Sequence, residues 1–462
     1  MPQLEVYEKT DLGSEFEIVD VKKILKDKLH YFFNSSFPSN GEILRIQIRI
    51  KKIDPLHWLY WQRSPTKIYW LNRERNFEMA GIGEAIAIIG EGQVEGTTLF
   101  NNLKRGLSNE FKDLRYYGGM RFNPTVNPDE YWQKFGSYRF VIPRFEIVHK
   151  SGETYLACNF SPSPSTSDEI LRQLYHICFN NDLITGDIPP VLSRKDIPDY
   201  TKWHNNISYA MEVFSRGEVQ KIVLTRKTIF EFSQTLDPLL LLKRLKPAHP
   251  ESFHFCFQID NKTSFIGASP ELLYRRTDKQ IASDAIAGTC PRGNSLTEDQ
   301  ELSLRLLRSK KDRQEHQFVI EWIKNAFDTL CRSTYVQGGT RILKLANVQH
   351  LHNHFQGIVA DGVSDAEILT TLHPTPAVGG YPKERALAEI EKLESFDRGW
   401  YAAPVGWVGT DEAEFAVAIR SGLILDHRLS LFSGAGIIPA STPEAEWREM
   451  ENKLANFITI IQ

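Results

Sequence analysis

The chain of 462 residues is 41% hydrophobic and 24% charged, the profile of an ordinary globular protein with ample length for a buried core. Lys and Arg number 55 against 58 Asp and Glu, a net charge of −3, so no global basic field exists for nucleic acid or an anionic membrane, and an anionic ligand must be bound locally. Five cysteines without a CxxC pair exclude a disulfide framework and read as the reduced thiols of a cytoplasmic protein.

Along the chain, residues 1–20 are acidic and mixed, with no apolar core to serve as a signal peptide. Ile46, Ile48 and Ile50 alternate with Arg45, Gln47 and Arg49, the period of two expected of a half-buried strand. The most apolar runs, at 85–89 and 239–242, fall far short of the roughly 20 residues a membrane helix needs, so no membrane partner is expected. Further strands are predicted at 139–149, 154–160, 221–232 and 254–259, and Asp260-Asn261-Lys262 turns the last of them into a hairpin with 264–267. Helical periodicity marks 168–180, 205–215, 297–330, 383–393 and 443–460. Strands come in groups with helices between the groups, which predicts an α+β fold of antiparallel sheets covered by helices and argues against a doubly wound parallel sheet. No linker interrupts the pattern. The expectation is a single domain over 1–462, with a strand-rich N-terminal portion at 1–180 and the chemistry carried by 200–462.

Lys221 opens the strand at 221–232. A lysine at a strand end ordinarily snorkels to water; in a partly dry pocket the same amine sheds its proton more easily and can act as a base. Glu271 follows the small-residue turn Gly267-Ala268-Ser269-Pro270. It is either an exposed residue of a connector or a carboxyl kept protonated by an apolar wall, a general acid. The stretches 285–293 and 433–439 read as Gly-rich loops whose backbone N–H groups can cradle an anion. Pro439 and the short remaining chain exclude a dinucleotide fingerprint there. Glu315 lies on or beside the apolar stripe of Phe318, Val319 and Trp322, where a carboxylate must be paired, protonated or bound to a metal. His350, His352 and His354 share one strand face; with no HExxH, no CxxC and no carboxylate at familiar zinc spacing, the expectation is one ligand-contacting histidine, His350, and no zinc. Arg420 ends a strand that starts near Glu414 and can clamp a carboxylate or form a structural ion pair. On the last helix Trp447, Met450, Leu454 and Phe457 form the buried stripe. Glu446, Glu449 and Lys453 share a face beside it, as a solvated ladder or, together with Glu315, as carboxylates suited to Mg²⁺.

Taken together these stretches resemble the chorismate-utilising enzymes: isochorismate synthases, salicylate synthases and the large subunits of anthranilate and aminodeoxychorismate synthases. The matching motifs are KIVLTR at 221–226, FIGASPELL at 265–273, GTCPRG at 288–293, KDRQEH at 311–316, LHPTPAVGG at 372–380, FDRGWYAAPVGW at 396–407, AIRS at 418–421, SGAGI at 433–437 and EWREMENK at 446–453. Upstream, DPLHWL at 54–59, Tyr69-Trp70 and 118–124 are similar to menaquinone-type isochorismate synthases. The resemblance implies one large α+β domain with two stacked antiparallel sheets and outer helices. It implies a reaction in which water adds at ring position 2 of chorismate as the position-4 hydroxyl leaves, giving isochorismate, with Lys221 as base and Glu271 as acid. It makes Glu315 and Glu449 ligands of Mg²⁺, with Glu446 behind them. It places Gly288, Thr289, His350, Ala377, Val378, Tyr401, Arg420, Gly434, Ala435, Gly436 and Lys453 around the substrate. Lys221 speaks for water as nucleophile, since family members that use ammonia typically carry Gln there. Salicylate synthases share the lysine but commonly show a Thr-containing stretch where this chain reads PAVGG at 376–380, which favours isomerase over lyase; a non-catalytic chorismate-binding subunit is the reading from another class. A monomer or homodimer is expected.

Overall fold

Two long strands, β3 (Phe77–Gly90) and β5 (Tyr138–Lys150), organise the fold. β5 pairs with β3 along its length, with β4 (Tyr116–Met120) through its first residues and with β6 (Glu153–Phe160) through its last. The register of β3 shifts between Glu84 and Ile86. Gly83, at φ 64°, adopts there a conformation that costs glycine nothing, and the strand bends. Each long strand thus belongs to two layers. The computed structural model describes residues 18–34, 43–92, 95–108, 110–125, 128–161, 164–180 and 182–461, so the reading of residues 1–17 lies outside it.

From β3 the first layer continues through β2 (Lys67–Leu71), β9 (Phe253–Asp260), β10 (Thr263–Ser269), β19 (Ser421–Leu425), β20 (Arg428–Ile437) and β8 (Lys221–Phe232). β7 (Val191–Ile197) and β16 (Gly380–Tyr381) line the far edge of β8. From β4 the second layer continues through β17 (Pro404–Val408), β18 (Glu412–Val417), β11 (Leu272–Thr277), β12 (Gln280–Pro291) and β15 (Val348–Val359), with β13 (Cys331–Val336) and β14 (Arg341–Lys344) beyond. β1 (Leu44–Ile50) pairs with β6. All these pairings are antiparallel, as the grouping of strands predicts, and they join the two layers into one continuous network. The layers meet in a core of Trp70, Phe255 and Phe265 from the first and Leu273, Trp407 and Phe415 from the second.

Helices cover the outside. α1 (Ile18–Asn34) and α4 (Pro164–His176) pack together near β1, and α2 (Pro55–Tyr60) and α6 (Pro238–Ala248) lie over the first layer. α3 (Gly96–Gly106) packs on α9 (Asp365–Leu372). α5 (Tyr200–Ser215), α10 (Lys383–Leu393) and α11 (Pro443–Ile461) cover β8 and β20 through a cluster that includes Trp203, Leu224, Ile390 and Met450. α7 (Leu296–Arg308) and α8 (Lys310–Leu330) cover β12 and β15. The helix expected over 297–330 is therefore two. Ser309 takes an extended conformation, ends α7 and caps α8, its hydroxyl accepting from Asp312 N at 3.2 Å. α5 starts earlier than its periodicity suggests because Asp199 caps it, accepting from Lys202 N at 2.8 Å.

Candidate active site

β20 outruns its partner on one side. Its last pairing with β19 is Leu431 with Gly422, whereas its pairing with β8 continues to Ile437. Beyond Leu431 one edge of β20 borders a cleft lined by, among others, Glu271, Thr289, Glu315, His350, Tyr401 and Arg420. Gly434 O accepts from Lys453 Nζ at 2.8 Å, so Gly434 and, two residues on, Gly436 turn their amides away from β8 and towards this cleft. The expected Gly-rich loop at 433–439 is thus mostly strand. So is 285–293, which runs in β12 to Pro291, with a register shift between Ala287 and Thr289 where Gly288 stands at φ 70°. Alternation sends Ala435 the other way, into the cluster under α5 and α11, so its side chain does not reach the cleft.

Lys221 does not snorkel: it is fully buried at the start of β8. Its Nζ stands 3.1 Å from Glu315 Oε1 without hydrogen-bond geometry. Both groups press on Gly436, where a Cβ would lie 2.4 Å from Glu315 Oε1 and 2.9 Å from Lys221 Cε. Burial pushes the Glu315 carboxyl up, but Lys221 and Lys453 outweigh it and hold the group below its ordinary range. α8 and α11 bring three carboxylates to this corner, each with its own lysine. Glu446, 1% exposed, accepts from Lys311 Nζ at 2.6 Å, and Glu449 pairs with Lys453 at 2.6 Å. Burial and the neighbouring Glu449 raise the Glu446 carboxyl. All three carboxylates act on the Lys311 ammonium, so they share one neighbourhood, and an all-oxygen donor set is the kind that a hard cation such as Mg²⁺ takes.

Glu271, between β10 and β11, is 2% exposed, and its Oε1 has no hydrogen-bond partner. Burial and then the charge of Asp284 push its carboxyl up to about 8, against the pull of Lys221 and Lys453. At this burial it is no exposed connector residue, and a carboxyl raised so far holds its proton at neutral pH. His350 is driven well below its ordinary value by burial and by the cations Arg420 and Lys453, and its Nδ1 lies 3.2 Å from Gly288 O and 3.1 Å from Thr289 Oγ1. A neutral imidazole fixed in this way presents one ring nitrogen to a ligand. Arg420, at φ 52°, is anchored by Nη1 to Lys453 O at 2.9 Å, and burial lowers it to about 10, leaving it a cation. Tyr401 stacks on Phe432 at 5.2 Å.

Ala377 and Val378 line the wall beside α10. They are held by Arg398, which donates to Val378 O at 2.8 Å and Val223 O at 2.7 Å while pairing with Glu394 at 2.6 Å. The fold therefore gathers most of the predicted residues on one cleft; Lys221 and Glu449 stand next to its lining residues Glu315 and Lys453, Glu446 lies outside the lining on Lys311, and Ala435 is turned away. Sequence reasoning gives Arg398 no role, although it stands in the FDRGWY stretch, and it misses Asp284. No local pattern marks Asp284, since its partners lie 70 residues away across a strand pair.

Residues 31–462 match the family described as chorismate binding enzyme. Isochorismate synthase 2 (chloroplastic) of Arabidopsis thaliana is 30% identical over 455 residues, covering 91% of this chain and 81% of that protein. Isochorismate synthase MenF of Bacillus subtilis is 28% identical over 459 residues, covering 94% and 97%. Among solved structures, MenF, the menaquinone-specific isochorismate synthase from Escherichia coli, superimposes with a TM-score of 0.84 at 26% identity, covering 95% of this chain and 99% of that one.

Proposed function

Because the chain belongs to the chorismate binding enzyme family, we propose that its cleft takes chorismate and that the protein is a menaquinone-type isochorismate synthase. Lys221 removes a proton from water as the water oxygen bonds to ring carbon 2. Both ring double bonds shift, one from carbons 1 and 2 to carbons 1 and 6 and the other from carbons 5 and 6 to carbons 4 and 5, the bond from carbon 4 to its hydroxyl breaks, and Glu271 gives its proton to the departing oxygen, which leaves as water. Lys221 ends protonated and Glu271 ionised, and proton exchange with solvent resets both. The dianionic substrate meets Arg420, Lys453 and the amides of Gly434 and Gly436, a local cationic surface in a chain of net charge −3. His350 and Thr289 orient the ring from one side, and Tyr401 bounds the enolpyruvyl side. Glu315 and Glu449 would hold Mg²⁺, with Glu446 supporting them; when bound, the ion supplies a positive anchor for the ring carboxylate. Five free thiols support a reducing, cytoplasmic setting, and no helix among the described residues is long and apolar enough to cross a membrane.

One observation carries this reading: Glu271, a buried carboxyl that holds its proton, lines the cleft, and Glu315, which lines it too, has the buried amine of Lys221 3.1 Å away. Incubation with chorismate and Mg²⁺, followed by product separation, tests it. Isochorismate alone is expected; salicylate with pyruvate would assign the lyase branch, and no turnover would assign a binding subunit. Lys221→Ala should keep its fold by circular dichroism and lose on the order of 10²–10⁴-fold in turnover, the usual contribution of a general base.

A further inference from the structure

His352 and His354 have no part in the cleft chemistry, and the sequence offers them no carboxylate. The structure does. Asp284 on β12 lies directly across from His354 on β15, and His352 stands two residues along on the same face. Asp284 Oδ1 is 2.7 Å from His354 Nδ1 and 3.0 Å from His352 Nε2, and the three donor atoms lie within 4.8 Å of one another. The Asp284 side chain is fully buried while the two rings are 20% and 21% exposed, so the cluster has one closed side and one side open to water.

Three features separate this cluster from a saturated hydrogen-bond network. His352 Nε2 is buried and, despite its closeness to Oδ1, makes no hydrogen bond of acceptable geometry. Arg73, in the turn between β2 and β3, holds the other oxygen, Oδ2, at 2.6 Å. That contact balances the aspartate charge without protonated imidazoles and leaves Oδ1 facing the rings. The same Nη1 of Arg73 also donates to Pro270 O at 3.1 Å, and Gln356 Nε2 lies 3.4 Å from His354 Nε2. The carboxylate is thereby oriented from behind by Arg73, as an outer partner of a metal ligand orients it.

We propose that Asp284, His352 and His354 form a second metal site, for a borderline divalent ion such as Zn²⁺, separate from the carboxylate corner of the cleft. Two neutral imidazoles, one carboxylate oxygen and a water from the open side complete a four-coordinate set that such ions take, whereas Mg²⁺ prefers oxygen donors. The ion would pin β12 to β15 and, through Arg73, to the β2–β3 turn of the other layer.

The test is Zn²⁺ titration of the full-length, chelator-stripped protein in saturating Mg²⁺, with Co²⁺ as a spectroscopic probe. Wild type should bind one ion per chain that Mg²⁺ does not displace, show visible Co²⁺ bands of imidazole coordination, and melt at a higher temperature with Zn²⁺ present. His352→Gln and His354→Gln should each weaken that binding at least about 100-fold, more than the loss of an outer partner typically costs. Glu449→Gln, at the other corner, should bind within about twofold of wild type. Absence of an Mg²⁺-resistant ion in wild type, or wild-type affinity in either histidine variant, overturns the site. Should both variants misfold by near-ultraviolet circular dichroism, Co²⁺-induced paramagnetic shifts of the His352 and His354 ring protons in the wild-type protein decide instead: shifted rings support the site, and unshifted rings with bound ion overturn it.

Discussion

Glu271 shows how one side chain's surroundings set both reactivity and stability. Its carboxyl, raised from 4.5 to about 8 chiefly by burial, keeps its proton across neutral pH. Turnover should therefore fall as pH rises through about 8, where the acid ionises before it can protonate the leaving hydroxyl. The stability consequence has the opposite sense to that of an ordinary carboxylate. Between 4.5 and about 8 the folded chain holds a proton that the unfolded chain has released, so stability declines as pH rises through that window. Glu271→Gln removes both effects: turnover should drop on the order of 10²–10⁴-fold, while its melting temperature, followed from pH 5 to 9, should lack that decline. Equal slopes in the two proteins would show that Glu271 does not carry the proton. Lys221 and Glu271 stand out in the sequence because a charged residue opens an apolar strand or follows a small-residue turn. Their burial is not legible, because it comes from α8, α11 and the opposing layer.

Segments were legible by period, and their breaks were not. The apolar repeat at 297–330 runs straight across Ser309, whose capping role is hidden in a run of charged residues. Ser309→Ala should cost about 1 kcal/mol in urea unfolding, the ordinary worth of an N-cap hydroxyl. The glycines of 433–437 mislead in another way, since glycine marks a turn and a close approach alike. In β20 they mark close approach: the strand must pass within contact distance of Lys221 and Glu315. Gly436→Ala is therefore expected to keep the β8–β20 pairing and unchanged circular dichroism while displacing the two charged groups. A shift of about 1 Å in such groups costs about 10²-fold in turnover. Gly339→Ala, where a Cβ meets nothing within 4 Å, is the matched control and should retain wild-type rates.

At the scale of the whole molecule, the residues nearest the chemistry follow position 200, yet they depend on strands that precede it. β9 takes its second edge from β2, with Phe257 opposite Ile68, and β17 takes its second edge from β4, with Trp407 opposite Tyr117. Glu414, 1% exposed on β18, is satisfied by Arg275 in its own layer and by Trp70 Nε1 of the first layer at 3.0 Å. A fragment spanning 200–462 would leave both strand edges unpaired, expose the apolar faces that Trp70 and Tyr117 cover, and strand part of a buried carboxylate's hydrogen bonding. Its length alone would suffice for a domain, so composition argues for folding and topology argues against it. Topology should win, because the missing strands are the hinge between layers and not an appendage to one of them. Expressed alone, 200–462 should show no near-ultraviolet circular dichroism and no chorismate turnover, whereas the full chain should unfold in urea as one transition by both tryptophan fluorescence and circular dichroism. A folded, active fragment would mean that the N-terminal strands merely decorate a complete catalytic unit; two separated transitions in the full chain would mean that the layers are held independently.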